Sequence, residues 1–285
     1  MSASETADIL LDATTRLRAA GVESPRREAR LLLAHVLGLR PEEIVSGRLS
    51  PQGTEFRRRF EAVLARRAAR EPLAYIIGRR EFWSLDFEVG PGVLVPRPES
   101  EIMVEEALRR FPIVDAPLRV VDLGTGSGCL LLAFLSERPK AEGFGVDISS
   151  EALAVAKRNA ANLGLGSRAR FLRSDWMGAL SGAWDVIFIN PPYIVEGDLD
   201  SLDPEVGRYE PRAALDGGPD GLSAYRRIAA ALRPRLAPEG RVLLEVGQGQ
   251  AGPVERIFFE KGLSVEGTVF DLAGIPRCLV VIARP

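Results

Sequence analysis

Histidine, cysteine and lysine are scarce in this chain of 285 residues. One histidine, His35, and two widely separated cysteines, Cys129 and Cys278, exclude a multidentate His/Cys metal site, so no metal is expected. Two cysteines make no disulfide framework. Both lie in apolar runs, and buried free thiols in a reducing compartment are expected. No apolar run approaches the roughly 18 residues that a transmembrane helix needs, and no membrane partner is expected. The stretch Met1–Asp8 is polar and acidic, lacks a basic flank and does not read as a secretory leader, so a cytoplasmic protein is expected. Lysine supplies 3 of the 37 basic residues and arginine the other 34, which reads first as genome composition and second as phosphate recognition. A net charge of −2 excludes a grossly basic nucleic-acid binder but leaves room for a local basic face. With 46% apolar and 27% charged residues the chain is globular rather than disordered. Its length suits one large domain or two smaller ones.

The chain reads in three stretches. Residues 1–74 are expected to form a small helical bundle. Ile9, Leu10, Leu17 and Ala20 recur at helical spacing. Ser24-Pro25 reads as a helix start, with a capping hydroxyl before a Pro whose missing N–H costs nothing. Leu31, Leu32, His35, Val36 and Leu39 form the apolar face behind it, which makes His35 a core or interface residue. Gly38 and Pro41 break the pattern. Thr54 is a candidate cap for a helix carrying Phe56, Phe60, Val63 and Leu64, with Arg57, Arg58, Arg66 and Arg67 mostly opposite on a solvated face. The sharper alternative for that arginine run is a docking surface. Residues 75–98 change period: Leu85, Phe87 and Val89 alternate with polar residues, and Gly90, Pro91, Gly92, Pro96 and Pro98 follow, predicting a hairpin linker. Over 99–285 short apolar runs (119–123, 143–147, 184–190, 241–246) alternate with helical patterns (129–137, 151–163, 222–236), predicting a parallel sheet covered by helices on both faces. The last two runs, 263–270 and 277–283, are too close for a crossover helix and are expected to pair antiparallel at the sheet edge.

Gly124-Thr125-Gly126-Ser127-Gly128 follows the first of these strands and opens a helix. Glycines at alternate positions let backbone approach a ligand closely, and the helix N-terminus offers free N–H groups. The dinucleotide fingerprint wants a further Gly where Cys129 stands, so the loop points to a ligand without a pyrophosphate. Asp147, at the end of the next strand, is placed to accept both ribose hydroxyl protons. Its competing role is a helix cap, which Ser149 or Ser150 is also able to fill. Asp175 and Trp176 follow a third short strand, 169–173, and offer an acceptor for an adenine amine and a stacking face. Together these residues point to adenosine with a non-phosphate appendage, hence S-adenosyl-L-methionine, with S-adenosyl-L-homocysteine as product.

Asn190-Pro191-Pro192-Tyr193 ends the fourth strand. Pro191 and Pro192 have no N–H, so the backbone there presents carbonyl acceptors without competing donors. Asn190 adds a side-chain acceptor and Tyr193 an aromatic face. Two acceptors gripping a planar NH₂ group favour its pyramidalisation and aim its lone pair at a methyl donor. The grip strengthens as the nitrogen becomes positive in the transition state. Asn190, Pro191 and Tyr193 are the candidate catalytic residues, and all four residues are candidate substrate contacts. The connection 194–219 is long and rich in Gly, Pro and Asp. It is weighed equally as a substrate lid, with Tyr209 and Glu210 as contacts, and as a flexible insertion. Glu245 and Arg277 read as structural.

Glu71–Gly78, Glu81-Phe82-Trp83, Pro96–Glu99, the Asp122–Gly126 loop, Asn190–Tyr193 and Tyr209-Glu210-Pro211 stand in the order seen in the HemK/PrmC proteins, and over about residues 71–285 the chain resembles that family. Ser100 departs from the Thr more frequent there. The bundle over 1–74 carries no residue cluster suited to chemistry and is expected to dock the substrate protein. The resemblance implies a seven-stranded Rossmann-like methyltransferase domain. It implies methylation of the side-chain amide of the glutamine in the Gly-Gly-Gln motif of class I peptide chain release factors. By position, Gly124–Gly128, Asp147, Trp176 and Asn190 would hold the cofactor, and Asn190–Tyr193 the glutamine. Direct nucleic-acid binding is not expected. Two other readings stay open: a nucleic-acid adenine amine methyltransferase, whose target is also a planar NH₂, and a non-catalytic binding protein. The negative net charge and the lack of a recognition helix weigh against the first, and the intact tetrapeptide against the second.

Overall fold

The computed structural model describes residues 3–45 and 53–284, so the ends of the expected bundle-to-sheet reading at residues 1–2 and 285 lie outside it. In chain order it has helices α1 (Ala3–Ala19), α2 (Pro25–Leu37), α3 (Pro41–Val45), α4 (Thr54–Ala68) and α5 (Leu73–Ile77), then strands β1 (Arg79–Phe82) and β2 (Leu85–Glu88). There follow α6 (Glu101–Arg110), β3 (Arg119–Leu123), α7 (Cys129–Glu137), β4 (Glu142–Asp147), α8 (Ser150–Asn162), β5 (Ala169–Arg173) and β6 (Trp184–Ile189). The last elements are α9 (Pro204–Gly207), α10 (Ser223–Leu232), β7 (Leu236–Glu245), α11 (Ala251–Glu260), β8 (Leu263–Phe270) and β9 (Pro276–Ala283). They divide into two compact units. The first runs up to Gly78 and includes Asp203–Tyr209; the second comprises Arg79–Leu202 and the chain from Glu210 onward.

In the first unit the buried face of α2 is Ala29, Leu32, Leu33 and Val36, one helical stripe. It packs in one cluster with Ala13 and Leu17 of α1 and Phe60 and Leu64 of α4. Several local expectations need correction. Ser24 sits at the cap of α2 but its side chain makes no capping hydrogen bond. The cap of α4 is Gly53, with Thr54 its first residue. The break at Gly38 and Pro41 is as expected: α2 ends at Leu37 with Gly38 as its cap, and Pro41 opens α3, where Pro at the first helical position sacrifices no bond. His35 is exposed, since it falls one position off the stripe. Arg67, expected on a solvated face, is buried. Its Nε donates to Glu28 and its Nη2 to Glu205 Oε1 at 2.8 Å. Arg70 donates to the same Glu205, Nε to Oε1 at 2.6 Å and Nη2 to Oε2 at 2.5 Å. The Tyr209 hydroxyl donates to the Ala69 carbonyl oxygen at 2.8 Å. A buried guanidinium is tolerable only with such partners, and they come from both stretches of chain that make this unit.

The second unit holds a seven-stranded sheet in the order β5-β4-β3-β6-β7-β9-β8 and, separately, the antiparallel β1–β2 hairpin. The strands from β5 to β7 are parallel. β9 runs antiparallel to both β7 and β8, which gives the expected edge hairpin. Side chains alternate between two apolar layers. Val121, Leu123, Ile187, Ile189 and Leu244 face Tyr225 and Ile228 of α10 and Phe258 of α11. Val120, Val186, Phe188 and Leu243 face Met103 of α6 and Leu131 and Phe134 of α7. β3, α7, β5 and β8 have the bounds that the sequence pattern gives, whereas α6 and α11 were not read from it. The connection 194–219 is not structureless: it carries α9, two 3₁₀ turns and a bridge between Ile194 and Asp216.

Phe188 is fully buried and meets Phe134 edge to face, with ring centroids 5.6 Å apart. Phe188→Ala should lower the stability of the second unit by about 3–5 kcal/mol. Urea unfolding followed by tryptophan fluorescence measures this, because Trp83, Trp176 and Trp184 all lie in that unit.

Candidate active site

The parallel register decides which residues meet. Leu123 of β3 stands beside Val146 of β4 and Ile189 of β6, and Ile189 beside Leu244 of β7. The residues that follow, Gly124, Asp147, Asn190 and Glu245, therefore stand at the same end of the sheet.

Gly124, Gly126 and Gly128 take φ of +77°, +53° and +84°, a left-handed region where a Cβ is strained. The turn is pinned to the neighbouring strand: the N–H groups of Gly124 and Thr125 both donate to the Val146 carbonyl oxygen, at 2.8 and 2.9 Å. The Asp147 carboxylate ties two loops together. Its Oδ2 accepts from the Gly126 N–H and its Oδ1 from the Ser149 N–H, both at 2.9 Å. Capping of α8 is left to the Ser149 hydroxyl, which accepts from the Ala152 N–H at 3.1 Å. Each Asp147 oxygen keeps a further lone pair for a ligand.

A cavity of about 490 Å³ opens at this end of the sheet, within the size range of small-molecule sites. Gly124, Thr125, Gly126, Ser127 and Asp147 form one side of it, and Asp175, Trp176, Asn190 and Pro192 another. Trp176 takes φ +48°, rare for a bulky residue, and brings its ring against the turn: a methyl on Gly124 would lie 3.5 Å from the indole and 3.8 Å from the Asn190 carbonyl oxygen. Asp175 is exposed at the rim, paired with Arg227 of α10. Gly128 stands behind the wall, where a Cβ would come 3.2 Å from Leu132 and 3.3 Å from Ala156, so it serves helix packing. Pro191 is buried. Tyr193 lies outside the cavity lining, and its carbonyl oxygen is already taken by Gln250 Nε2 at 2.9 Å. Among the described residues none donates to the Pro191 carbonyl oxygen. The acceptors open to a ligand at the tetrapeptide are thus fewer than the four the sequence offers.

Beside the tetrapeptide, hydrogen bonds join residues that are far apart in sequence. Ser100 lines the cavity and lies next to Asn190, whose Nδ2 is 3.5 Å from its Oγ. Ser100 Oγ in turn donates to Glu245 Oε2 at 2.5 Å, and Tyr193 OH is 3.4 Å from Glu245 Oε1. Glu210, a candidate substrate contact, is buried, with both oxygens accepting from Arg97 Nη2 at 2.7 and 2.8 Å. Tyr209, the other candidate, belongs to the first unit. A short-range signal existed for Glu245, an acid directly after the apolar run Val242–Leu244. None existed for its pairing with Ser100, 145 residues away.

Burial sets the protonation states. It pushes the Cys129 thiol up to about 12, with Asp122 adding to the effect, which leaves no nucleophilic thiolate. Burial and the Glu245 charge push the Tyr193 phenol up to about 12, so it remains a donor. Glu245 and Glu210 are both raised, chiefly by burial. Asp122, under the glycine turn, is raised from its ordinary 3.8 to about 7 by burial, although the Thr125 hydroxyl donates to it at 2.7 Å. Among the described residues no cluster of His, Cys, Asp or Glu is arranged to hold a metal ion, and no helix is long and apolar enough to cross a membrane.

The PrmC N-terminal domain family matches residues 8–78 and the Methyltransferase small domain family residues 101–202. A release factor glutamine methyltransferase of Rhodospirillum rubrum is 47% identical over 269 residues, covering 94% of this chain and 82% of the relative. One of Caulobacter vibrioides is 45% identical over 274 residues, covering 96% and 94%. Among solved structures, a methyltransferase from Pyrococcus furiosus shares the fold, with a TM-score of 0.52 at 20% identity over 70% of this chain and 90% of that one.

The raised Asp122 makes a pH prediction. Below about pH 3.8 the carboxyl is neutral in both folded and unfolded chains; between there and about pH 7 only unfolding ionises it, so stability is lost as pH rises through that window. Asp122→Asn has no proton to lose. Its urea midpoint should fall less than that of the parent between pH 4 and 7.5, and parallel curves would refute the assignment.

Proposed function

The chain belongs to the release factor glutamine methyltransferase family, and on that premise we propose that it methylates the side-chain amide of the glutamine in the Gly-Gly-Gln motif of class I release factors, with S-adenosylmethionine as donor, in the cytoplasm. The observation that carries the proposal is the juxtaposition of the pinned glycine turn with Asn190 on adjacent parallel strands, around one cavity.

The donor set fits adenosine. Asp147, held by two backbone N–H groups, presents acceptors to ribose hydroxyls; Trp176 offers a ring face; Gly124 and Gly126 let backbone approach closely. S-adenosylmethionine supplies, when bound, an electrophilic methyl group on a sulfonium. The remaining tasks fall to the chain. Asn190 Oδ1 and the Pro191 carbonyl oxygen accept the two N–H bonds of the glutamine amide. That grip disfavours the planar amide and localises the nitrogen lone pair. As the N–C bond forms and the S–C bond breaks, the nitrogen becomes positive and both hydrogen bonds tighten, so the stabilisation is greatest in the transition state. One amide proton then passes to water. No base has to act first.

Asn190→Ala should lower kcat by about 10²–10³-fold, as loss of a preorganised polar contact does, and leave binding of S-adenosylhomocysteine within a few-fold. Labelled methyl transfer to a release factor should vanish when the Gln of Gly-Gly-Gln is replaced. Equal labelling of both factors would exclude that acceptor.

The first unit contributes no group to this chemistry, and we assign it to docking of the release factor. Leu11 is 67% exposed on α1 and Arg59 is exposed on α4. Leu11→Glu with Arg59→Glu should raise KM for an intact release factor severalfold and leave KM for a Gly-Gly-Gln peptide unchanged. An equal rise for both would count against docking.

A further inference from the structure

We propose that Glu245, through Ser100, is a positioning residue that fixes the side-chain amide of Asn190 with its oxygen toward the substrate. The inference rests on the role given to Asn190 above.

An asparagine amide has a donor end and an acceptor end of nearly equal shape, and rotation about its last bond exchanges them. Gripping an N–H requires the acceptor end. The fold selects it by a chain of committed protons. Glu245 is buried at the end of β7, and an ionised carboxylate only accepts. Ser100, itself buried, spends its one proton on Glu245 Oε2 at 2.5 Å, a length typical of a hydroxyl bound to a carboxylate. Its lone pairs are then all it can offer Asn190, and Asn190 Nδ2 faces them at 3.5 Å. With its NH₂ so engaged, Asn190 has Oδ1 uncommitted at the cavity it lines. The second Glu245 oxygen is held from the other side by Tyr193 OH at 3.4 Å, and the Tyr225 hydroxyl donates to the Glu245 carbonyl oxygen at 3.1 Å. The strand end, carboxyl and tetrapeptide are thus fixed together.

A packing role alone does not call for an acid here. Taking a carboxylate out of water is unfavourable, and an amide or apolar residue of similar volume fills the same space. The acid differs from its isosteres in being unable to donate, which is what the polarity of the chain requires. Protonation reverses this. A neutral Glu245 donates to Ser100, the Ser100 proton turns toward Asn190, and the amide presents its NH₂ to the substrate. The groups bearing on Glu245 are Arg277 on β9, which favours the ionised form, and Glu99 before α6, which opposes it, besides Tyr193. Tyr225, Cys129 and Cys278 also feel its charge, and burial holds all three in their neutral forms. With burial the dominant influence, Glu245 titrates above the ordinary carboxylate range.

The test uses the full chain with an intact release factor and compares E245Q, S100A, S100T and N190A. E245Q and S100A should each lower kcat about tenfold or more, with KM for the release factor and Kd for S-adenosylhomocysteine within twofold of the parent. The double variant E245Q/S100A should be no slower than the worse single one, because the two act in series. S100T keeps the hydroxyl and should recover kcat to within about threefold. The parent should lose kcat as pH falls through the Glu245 titration, and E245Q should lack that acid limb. Should E245Q not fold, the S100A and S100T pair decides: equal loss in both overturns the relay. Parental kcat in E245Q or S100A, with N190A inactive, overturns the relay and leaves the role of Asn190 standing. Parental kcat in N190A instead overturns the reading beneath it.

Discussion

The site depends on a shared register. Leu123, Val146, Ile189 and Leu244 stand level across four parallel strands, so the residues after them emerge side by side with no long loop to place them. Hydrophobic burial on both faces sets that register, since a slip of one residue would turn each buried set into the opposite layer. Core packing and chemistry are therefore coupled: the apolar runs that stabilise the sheet also bring a glycine turn, Asp147 and Asn190 to one cavity, with Glu245 buried outside its lining.

Most of the fold was legible because its elements are short and sharply bounded. Arg119–Leu123 ends at a glycine turn, Ala169–Arg173 at Ser174-Asp175, and the final pair is joined by too few residues for a crossover. What escaped the sequence was whatever tertiary partners decide. Arg67 follows Phe60 and Leu64 at helical spacing and shares their buried stripe, and the Glu28 and Glu205 that make a buried guanidinium tolerable there are brought in by the tertiary fold. His35 lies among leucines in sequence but off the buried stripe in space. α6 and α11 went unread because no side-chain cap marks the start of either. At the site, the glycine turn, Asp147, Trp176 and Asn190 were legible as local motifs. Ser100 and Glu245 were not, because a serine in a proline-rich turn and an acid after a strand each have a common structural explanation until the two are seen 2.5 Å apart.

Proton inventory distinguishes the groups around the tetrapeptide. The prolines supply no donor, Gln250 already occupies the Tyr193 carbonyl oxygen, and Arg97 occupies Glu210. Each commitment removes a competitor from the neighbourhood of Asn190. Few polar atoms around the tetrapeptide therefore remain unspent.

Asp203–Tyr209, drawn from the middle of the catalytic sequence, is built into the helical unit. The two units are consequently not beads on a string. A fragment cut at residue 78 would surrender the acid shared by Arg67 and Arg70, and its complement would carry an orphaned seven-residue limb. Gene fusion at a single junction is unable to exchange one helical unit for another. Any recombination that swaps it has to carry both pieces, or Glu205 and its arginines must change together.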